Sequence, residues 1–231
     1  MANKKIIFAS NNKGKYDELV KDFKDAGIDL LFYTDFQDQK FNLPEPSEIM
    51  AVNAFTKAAA VAAQTNMMAL GDDSGIFIDY LDGFPGVHSR RWSFAEDDDT
   101  SRNTKILELL EDAPDDERWA RLISRFSLVS PDGKEIYKTV VKNNFKIAKE
   151  LDGTKGFGYD PILIPEKESV KVAYYSEKID YNIASAAMSG LITIGQLTQE
   201  EKNAINNRGR IAKEIKVTLD RKENNDTNKG L

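Results

Sequence analysis

The sequence has no cysteine, which removes disulfide frameworks and thiolate chemistry together. It has a single histidine, His88, so an ordinary zinc centre or a Ser-His-Asp relay would each have to run through that residue. No apolar run is long enough to span a bilayer, and the mean hydropathy is −0.49. No signal-peptide core precedes the first strand-like run, and a reducing, cytoplasmic setting is the expectation. Positive charge is in deficit too: 32 Lys and Arg against 38 Asp and Glu leave a formal net charge of −6. That balance argues against general affinity for a nucleic-acid backbone, but a local basic pocket for a small anion remains open. The chemistry left to such a chain rests on carboxylates, lysines and a hard cation.

What is present is a chain of 231 residues, 41% hydrophobic, long enough to bury a sizeable core. Lys5 to Ala9 reads as a strand and Ser10 to Lys15 as a turn. Tyr16, Leu19, Val20 and Phe23 then share one face of a helix ending near Gly27. Ser47 suits the N-cap of a helix running to about Gln64, with Ile49, Val52, Phe55 and Ala59 as its packing face. Gly71-Asp72-Asp73-Ser74-Gly75 reads as a turn between strands at Met67 to Leu70 and Ile76 to Leu81.

Further on, Ser101 to Leu110 is predicted helical, with Ile106, Leu107 and Leu110 inward. Strands follow at Arg121 to Val129 and Glu135 to Ile147, joined by the hairpin signal Ser130-Pro131-Asp132-Gly133. A glycine-rich loop covers Gly153 to Gly158, and Pro161 to Pro165 reads as a strand. The last helix carries Ile205, Arg208, Ile211, Ala212, Ile215 and Leu219, and residues 221–231 form a polar, unpatterned tail expected to fray. The order of elements predicts an α/β fold with a mixed sheet, in one domain over residues 1–220.

Four stretches suggest chemistry. Asp72 and Asp73 stand side by side, and Mg²⁺ favours such hard carboxylate oxygens; Glu45, just before a predicted helix, is a third candidate ligand. Binding of turn amides is the plain alternative for the aspartates. Ser10, Asn12 and Lys15 lie where a strand gives way to a helix N-terminus, whose free amides and dipole favour an anion. The spacing is not that of a P-loop. Asn53 and Lys57, four residues apart, share a helix face and fit either a phosphate clamp or plain solvation. Gly156-Phe157-Gly158-Tyr159-Asp160-Pro161 offers two planar rings beside flexible glycines, which suits a nucleobase or, equally, a core turn.

In this order the motifs resemble the inosine triphosphate pyrophosphatase family. The matching pieces are Ser10-x-Asn12-x-x-Lys15, Leu43-Pro44-Glu45, Asn53-Ala54-x-x-Lys57, Asp72-Asp73-Ser74-Gly75 and Gly83-x-Pro85-Gly86-Val87-x-Ser89. Gly156 to Pro161, Glu201-Lys202-Asn203-Ala204-Ile205 and Arg208 complete the series, from Lys5 to about Leu219. The resemblance implies Mg²⁺-dependent hydrolysis of non-standard purine nucleoside triphosphates (ITP, dITP or XTP) to the monophosphate and pyrophosphate. It also implies an elongated mixed sheet flanked by helices, two lobes with a central cleft, and a homodimer. By position, Ser10, Asn12, Lys15 and Lys57 would hold the triphosphate, and Asp73 would be general base or metal ligand, with Glu45 and Asp72 beside it. Asn53, Ser74, Phe157, Gly158, Tyr159, Asp160, Lys202, Asn207 and Arg208 would complete the substrate pocket.

Two departures stand out. The family reads Ser-His-Arg where this chain has Asn206-Asn207-Arg208, and in the family that histidine, with the arginine, reads the 6-keto oxygen of the purine. An asparagine amide both donates and accepts, so relaxed selection against adenine nucleotides is expected. Loss of catalysis on a nucleotide-binding scaffold is the alternative. The second departure is an insert at about 166–196, too apolar for a loose loop, whose readings are a lid, a dimer contact or a small surface hairpin.

Overall fold

The computed structural model describes residues 4–36, 43–93, 98–206 and 208–229. By its internal contacts the chain divides into two compact units. The first takes Met1–Asp73, Ser124–Val141 and Arg208–Leu231; the second takes Ser74–Ile123 and Lys142–Asn207.

In the first unit, β1 (Lys4–Ala9) leads into α1 (Lys13–Asp25), as the apolar run and the turn after it predict. Strand β2 (Ile28–Phe32) and the start of β3 (Ala69–Ile78) lie parallel on either side of β1, in registers that pair Ile6 with Leu30 and Phe8 with Leu70. Helix α2 covers Met50–Thr65. The unit also holds the end of β5 (Trp119–Val129), the start of β6 (Glu135–Ile147) and α7 (Arg210–Lys229). Its largest core cluster joins Ile6, Phe8, Leu19, Phe23 and Phe126 with Ile211 and Ile215. Each such side chain contributes about 1.5–3 kcal/mol by leaving water.

The second unit holds β4 (Pro85–Gly86), α3 (Asp99–Leu109) and β7 (Leu163–Pro165). It also holds α4 (Lys167–Tyr175), α5 (Tyr181–Met188) and α6 (Gln199–Ile205). Here β4 runs antiparallel to the end of β3, and β7 antiparallel to the end of β6. Strand order is β2-β1-β3-β5-β6-β7, with β4 on β3, so the sheet is mixed as expected. Arg118 is buried and donates to the carbonyls of Leu110, Ile147 and Ala148, tying the end of α3 to the end of β6.

Four expectations need correction. The GDDSG stretch is no turn: β3 passes through it unbroken, and nearly every residue of β3 is buried, as in a strand covered on both faces. Helix α2 turns the opposite face inward. Ile49, Val52 and Phe55 are exposed, whereas Met50, Asn53, Ala54, Lys57, Ala58 and Val61 are buried. Its N-cap is Ile49, with Ser47 accepting from the Ile49 amide just outside. Beyond Asp220 the chain stays helical as far as Lys229, the end of α7. Finally, the segment at 166–196 is no hairpin of strands but the helices α4 and α5 with a short 3₁₀ turn at Ile194–Gln196. Val170, Ala173, Ala184, Ala187 and Ile194 make it part of the second unit's core.

Candidate active site

Because side chains alternate across a strand, Asp72 and Asp73 project to opposite faces of the sheet, and each meets its own cations. That is why two adjacent carboxylates coexist in a buried strand. Gly71, just before them, has no room for a side chain, since a Cβ there would stand 1.9 Å from the Ala54 carbonyl oxygen of α2. The close approach brings the inner face of α2 against Asp73.

On that face Asn53 acts as a bracket. Its amide nitrogen donates to Asp73 Oδ2 at 2.9 Å and to the Ser47 carbonyl at 2.8 Å, while its oxygen accepts from the Ser47 amide at 3.0 Å. One turn further along, Lys57 donates to Glu45 Oε1 at 2.9 Å and lies 3.4 Å from Asp73 Oδ1. Lys57 therefore draws Glu45 and Asp73 to a common point, although the sequence separates them widely. Two carboxylates thus share one ammonium.

On the opposite face Asp72 accepts from Arg208 Nη2 at 2.6 Å, and Lys15 Nζ stands 3.3 Å from the same oxygen. Lys15 belongs to the first turn of α1. Asn12 caps that helix by accepting from the Lys15 amide, and Ser10 accepts from the Asn12 amide. Burial pushes the Lys15 ammonium below the usual lysine range; the charge of Asp72 opposes this, and Lys57 and Arg208 add to it.

The second unit gathers the aromatic loop. Asp160 Oδ2 accepts from Lys202 Nζ at 2.6 Å and from the Phe157 amide at 2.9 Å, and the Lys202 ammonium sits 4.5 Å over the Phe157 ring. The Tyr159 hydroxyl accepts from Trp92 and donates to the Ser89 carbonyl. Burial pushes its pKa up to about 12, so it stays protonated. Ser74, half-buried, opens this unit directly after Asp73.

Several of these partners carry no signal strong enough to single out in the sequence. Asp99 accepts from the Gly158 amide at 2.7 Å and Asn103 donates to the Gly158 carbonyl at 2.9 Å, so α3 grips the loop's backbone at two points. Of the run Asp97-Asp98-Asp99, Asp98 caps α3, Asp99 holds the loop, and Asp97 lies outside the described residues. Glu18, buried on α1, pairs with Arg208. Its spacing three residues after Lys15 was the one available hint. Asn207 also lies outside the described residues. Among the described residues, no group of three or more His, Asp or Glu is placed to hold a metal ion. Asp72 is committed to cations on the far face, and Glu45 and Asp73 form the remaining hard-oxygen pair.

The fold and these side chains define a mixed α/β protein with buried lysine–carboxylate centres on both faces of one strand. The chain belongs to the Ham1 family, whose model matches residues 6–217. A dITP/XTP pyrophosphatase of Desulforamulus reducens is 34% identical over 218 residues, covering 94% of this chain and 96% of its own. One from Corynebacterium efficiens is 35% identical over 209 residues, covering 89% and 92%. Among solved structures, a HAM1 protein from Coxiella burnetii matches with a TM-score of 0.69 at 29% identity, covering 94% of this chain and 99% of that one. The resemblance read from the motifs therefore holds along nearly the whole chain, and the family supports a hydrolase of this general class. No helix among the described residues is long and apolar enough to cross a membrane.

Proposed function

We propose that this protein hydrolyses non-standard purine nucleoside triphosphates of the dITP and XTP type to the monophosphate and pyrophosphate, with Mg²⁺. The observation that carries the reading is the convergence of Glu45, Asn53 and Lys57 on Asp73, with Lys15, at a capped helix N-terminus, within electrostatic reach of both Asp73 and Lys57. Close relatives are named for that activity.

The products require cleavage between the α and β phosphorus atoms. Water attacks the α-phosphorus and pyrophosphate leaves. Asp73 suits the task of orienting that water: Asn53 pins its Oδ2, and its Oδ1 faces Lys57, an oxygen released once the ammonium turns to a phosphate. Lys15, Lys57 and the α1 N-terminus would hold the polyphosphate, with Ser10 and Asn12 shaping that turn. Glu45 and Asp73 would hold a magnesium ion as hard, anionic donors; the chemistry such an ion would supply is neutralisation of phosphate oxygens. In the second unit, Phe157, held from below by Lys202, is a platform for a purine, and Tyr159 and Asp160 keep its loop in place. Asn207 would meet the base edge, where an amide that also accepts relaxes selection against ATP.

A nucleotide panel with Mg²⁺, measuring pyrophosphate against orthophosphate, tests the reading. Pyrophosphate release from dITP or XTP that falls by about 10³-fold in Asp73→Asn is expected. A wild-type protein that binds nucleotides but releases no pyrophosphate would instead make it a binding protein on this scaffold. Base selection is tested separately: Asn207→His is expected to raise the preference for ITP over ATP, and an unchanged ratio removes that assignment.

A further inference from the structure

The loop that presents Phe157 is closed at its neck, where the Asp152 amide donates to the Pro161 carbonyl at 2.9 Å. The short run from Thr193 to Gln196 sits on that neck. The Thr193 hydroxyl donates to the Asp152 carbonyl at 2.5 Å, and the Lys155 amide donates to the Gly195 carbonyl at 2.8 Å. The Lys155 ammonium reaches the Gln196 carbonyl at 2.9 Å. Backbone meets backbone here with no side chain between. A Cβ on Gly153 would stand 2.2 Å from the Gly195 carbonyl carbon, and one on Gly195 would stand 2.9 Å from the Asp152 oxygen and from Pro161 Cα.

Thr193 has the chemistry for such a tie. Its hydroxyl accepts from the Gln196 amide, and the Gln196 side chain accepts in return from the Thr193 amide at 2.9 Å, a capping box that fixes the 3₁₀ turn. The single proton of the hydroxyl is then directed outward, to Asp152. Thr193 is 2% exposed, so little water competes for that bond.

Two supports hold the turn in place. Before it, α4 and α5 bury Val170, Ala173, Ala184 and Ala187 in one core cluster with Ile194 and with Ile162, which follows the loop. After it the chain soon enters α6, whose Lys202 grips Asp160 and lies over Phe157. One continuous stretch thus holds the loop at its neck through Thr193 and at its aromatic end through Lys202. The helices inserted at 166–196 anchor that stretch.

We infer that Thr193 is a positioning residue for the base: by tying α4 and α5 to the neck of the Phe157 loop, it fixes the platform on which a purine stacks and takes no part in holding phosphate. The inference rests on the platform role given to Phe157 above. A loop left loose at its neck must be ordered by the ligand, and that cost is drawn from binding. Two ligands that need no turnover separate base from phosphate: IMP, which carries the base, and inorganic tripolyphosphate, which lacks it. Thr193→Val keeps the side chain's shape and loses its hydroxyl, and the Kd for IMP by calorimetry is expected to rise about tenfold. Tripolyphosphate binding with Mg²⁺ should stay unchanged. The KM for ITP should rise by the same factor at constant kcat, the mark of binding lost equally from ground and transition states. Thr193→Ser, which restores the hydroxyl, should restore IMP binding.

A merely structural Thr193 gives a different pattern in Thr193→Val: a lower Tm with both ligands bound as in wild type, or with both weakened alike. Either result overturns the inference, as does a Thr193→Ser variant that folds but binds IMP no better than Thr193→Val. Should Thr193→Val fail to fold, Gln196→Met, which opens the capping box from its other side, decides on the same two ligands. A wild type that binds IMP yet cleaves no nucleotide ends the proposed activity and leaves this inference to the binding measurement. One that binds tripolyphosphate but not IMP ends the platform reading and this inference with it.

Discussion

At the scale of single residues, Lys15 and Lys57 make different predictions. Lys15 has its pKa lowered by burial, so the free enzyme loses this charge at a lower pH than an ordinary lysine would. Phosphate binding weakens as the proton leaves, and the KM for the nucleotide should climb on the alkaline side. Bound phosphates hold the proton on, so kcat, which reports the complex, should climb or fall much less there. A Lys15→Arg variant, protonated throughout, should show a flat alkaline KM; a wild-type KM already flat to pH 10 would remove Lys15 from phosphate binding. Lys57 instead stands between Glu45 and Asp73 as a built-in counter-ion. Lys57→Met should bind Mn²⁺ without nucleotide about tenfold more tightly than wild type while losing nucleotide affinity. An unchanged Mn²⁺ affinity by electron paramagnetic resonance would mean that the ion sits elsewhere. These residues were legible in the sequence as types and spacings. Their pairing was not, because Arg208 meets Asp72 across 136 positions of chain.

At the scale of elements, β3 and α2 show why the local pattern misleads. Glycines and aspartates are turn residues by habit, so GDDSG imitates a break. Here each has a strand role: Gly71 admits α2, and Asp72 and Asp73 serve separate faces. The inner face of α2 carries Asn53 and Lys57, so hydrophobic periodicity assigns the wrong side, and the apolar residues it favours are 61% exposed at Ile49 and 41% at Val52. Elements without buried charge, such as β1 and the β5–β6 hairpin, were read correctly for the same reason. A Gly71→Ala substitution tests the contact directly. The added methyl must push α2 off β3, so overpacking should cost about 1–3 kcal/mol of stability. Asn53 and Lys57 move with the helix, and turnover should fall well beyond what the lost stability explains. Denaturant titration beside kcat measures both, and a variant that loses stability but keeps full turnover would uncouple α2 from Asp73.

At the scale of the molecule, the sequence showed the order of motifs but not that they belong to two interleaved units. The chain passes from one unit to the other at 73/74, 123/124, 141/142 and 207/208. The first three passages fall inside β3, β5 and β6, so each of these strands gives one part to each unit. No hydrophobic pattern marks such a point, because a strand reads alike on either side of it. Unfolding either unit would strip part of three strands from the other, and the two should melt as one. Trp92 and Trp119, the only tryptophans, both lie in the second unit, while Lys15, Lys57 and Asp73 lie in the first. Tripolyphosphate with Mg²⁺ at 100 times its Kd should stabilise the folded protein by about 2.7 kcal/mol. For a chain of this size that raises the Tm by roughly 5–10 °C. The full shift should appear in tryptophan fluorescence, although the ligand binds the other unit, and Lys15→Met should abolish it. A shift seen by far-ultraviolet circular dichroism but absent from the tryptophan signal would show two units melting separately. The strand-sharing argument would then fail, with phosphate binding itself left standing.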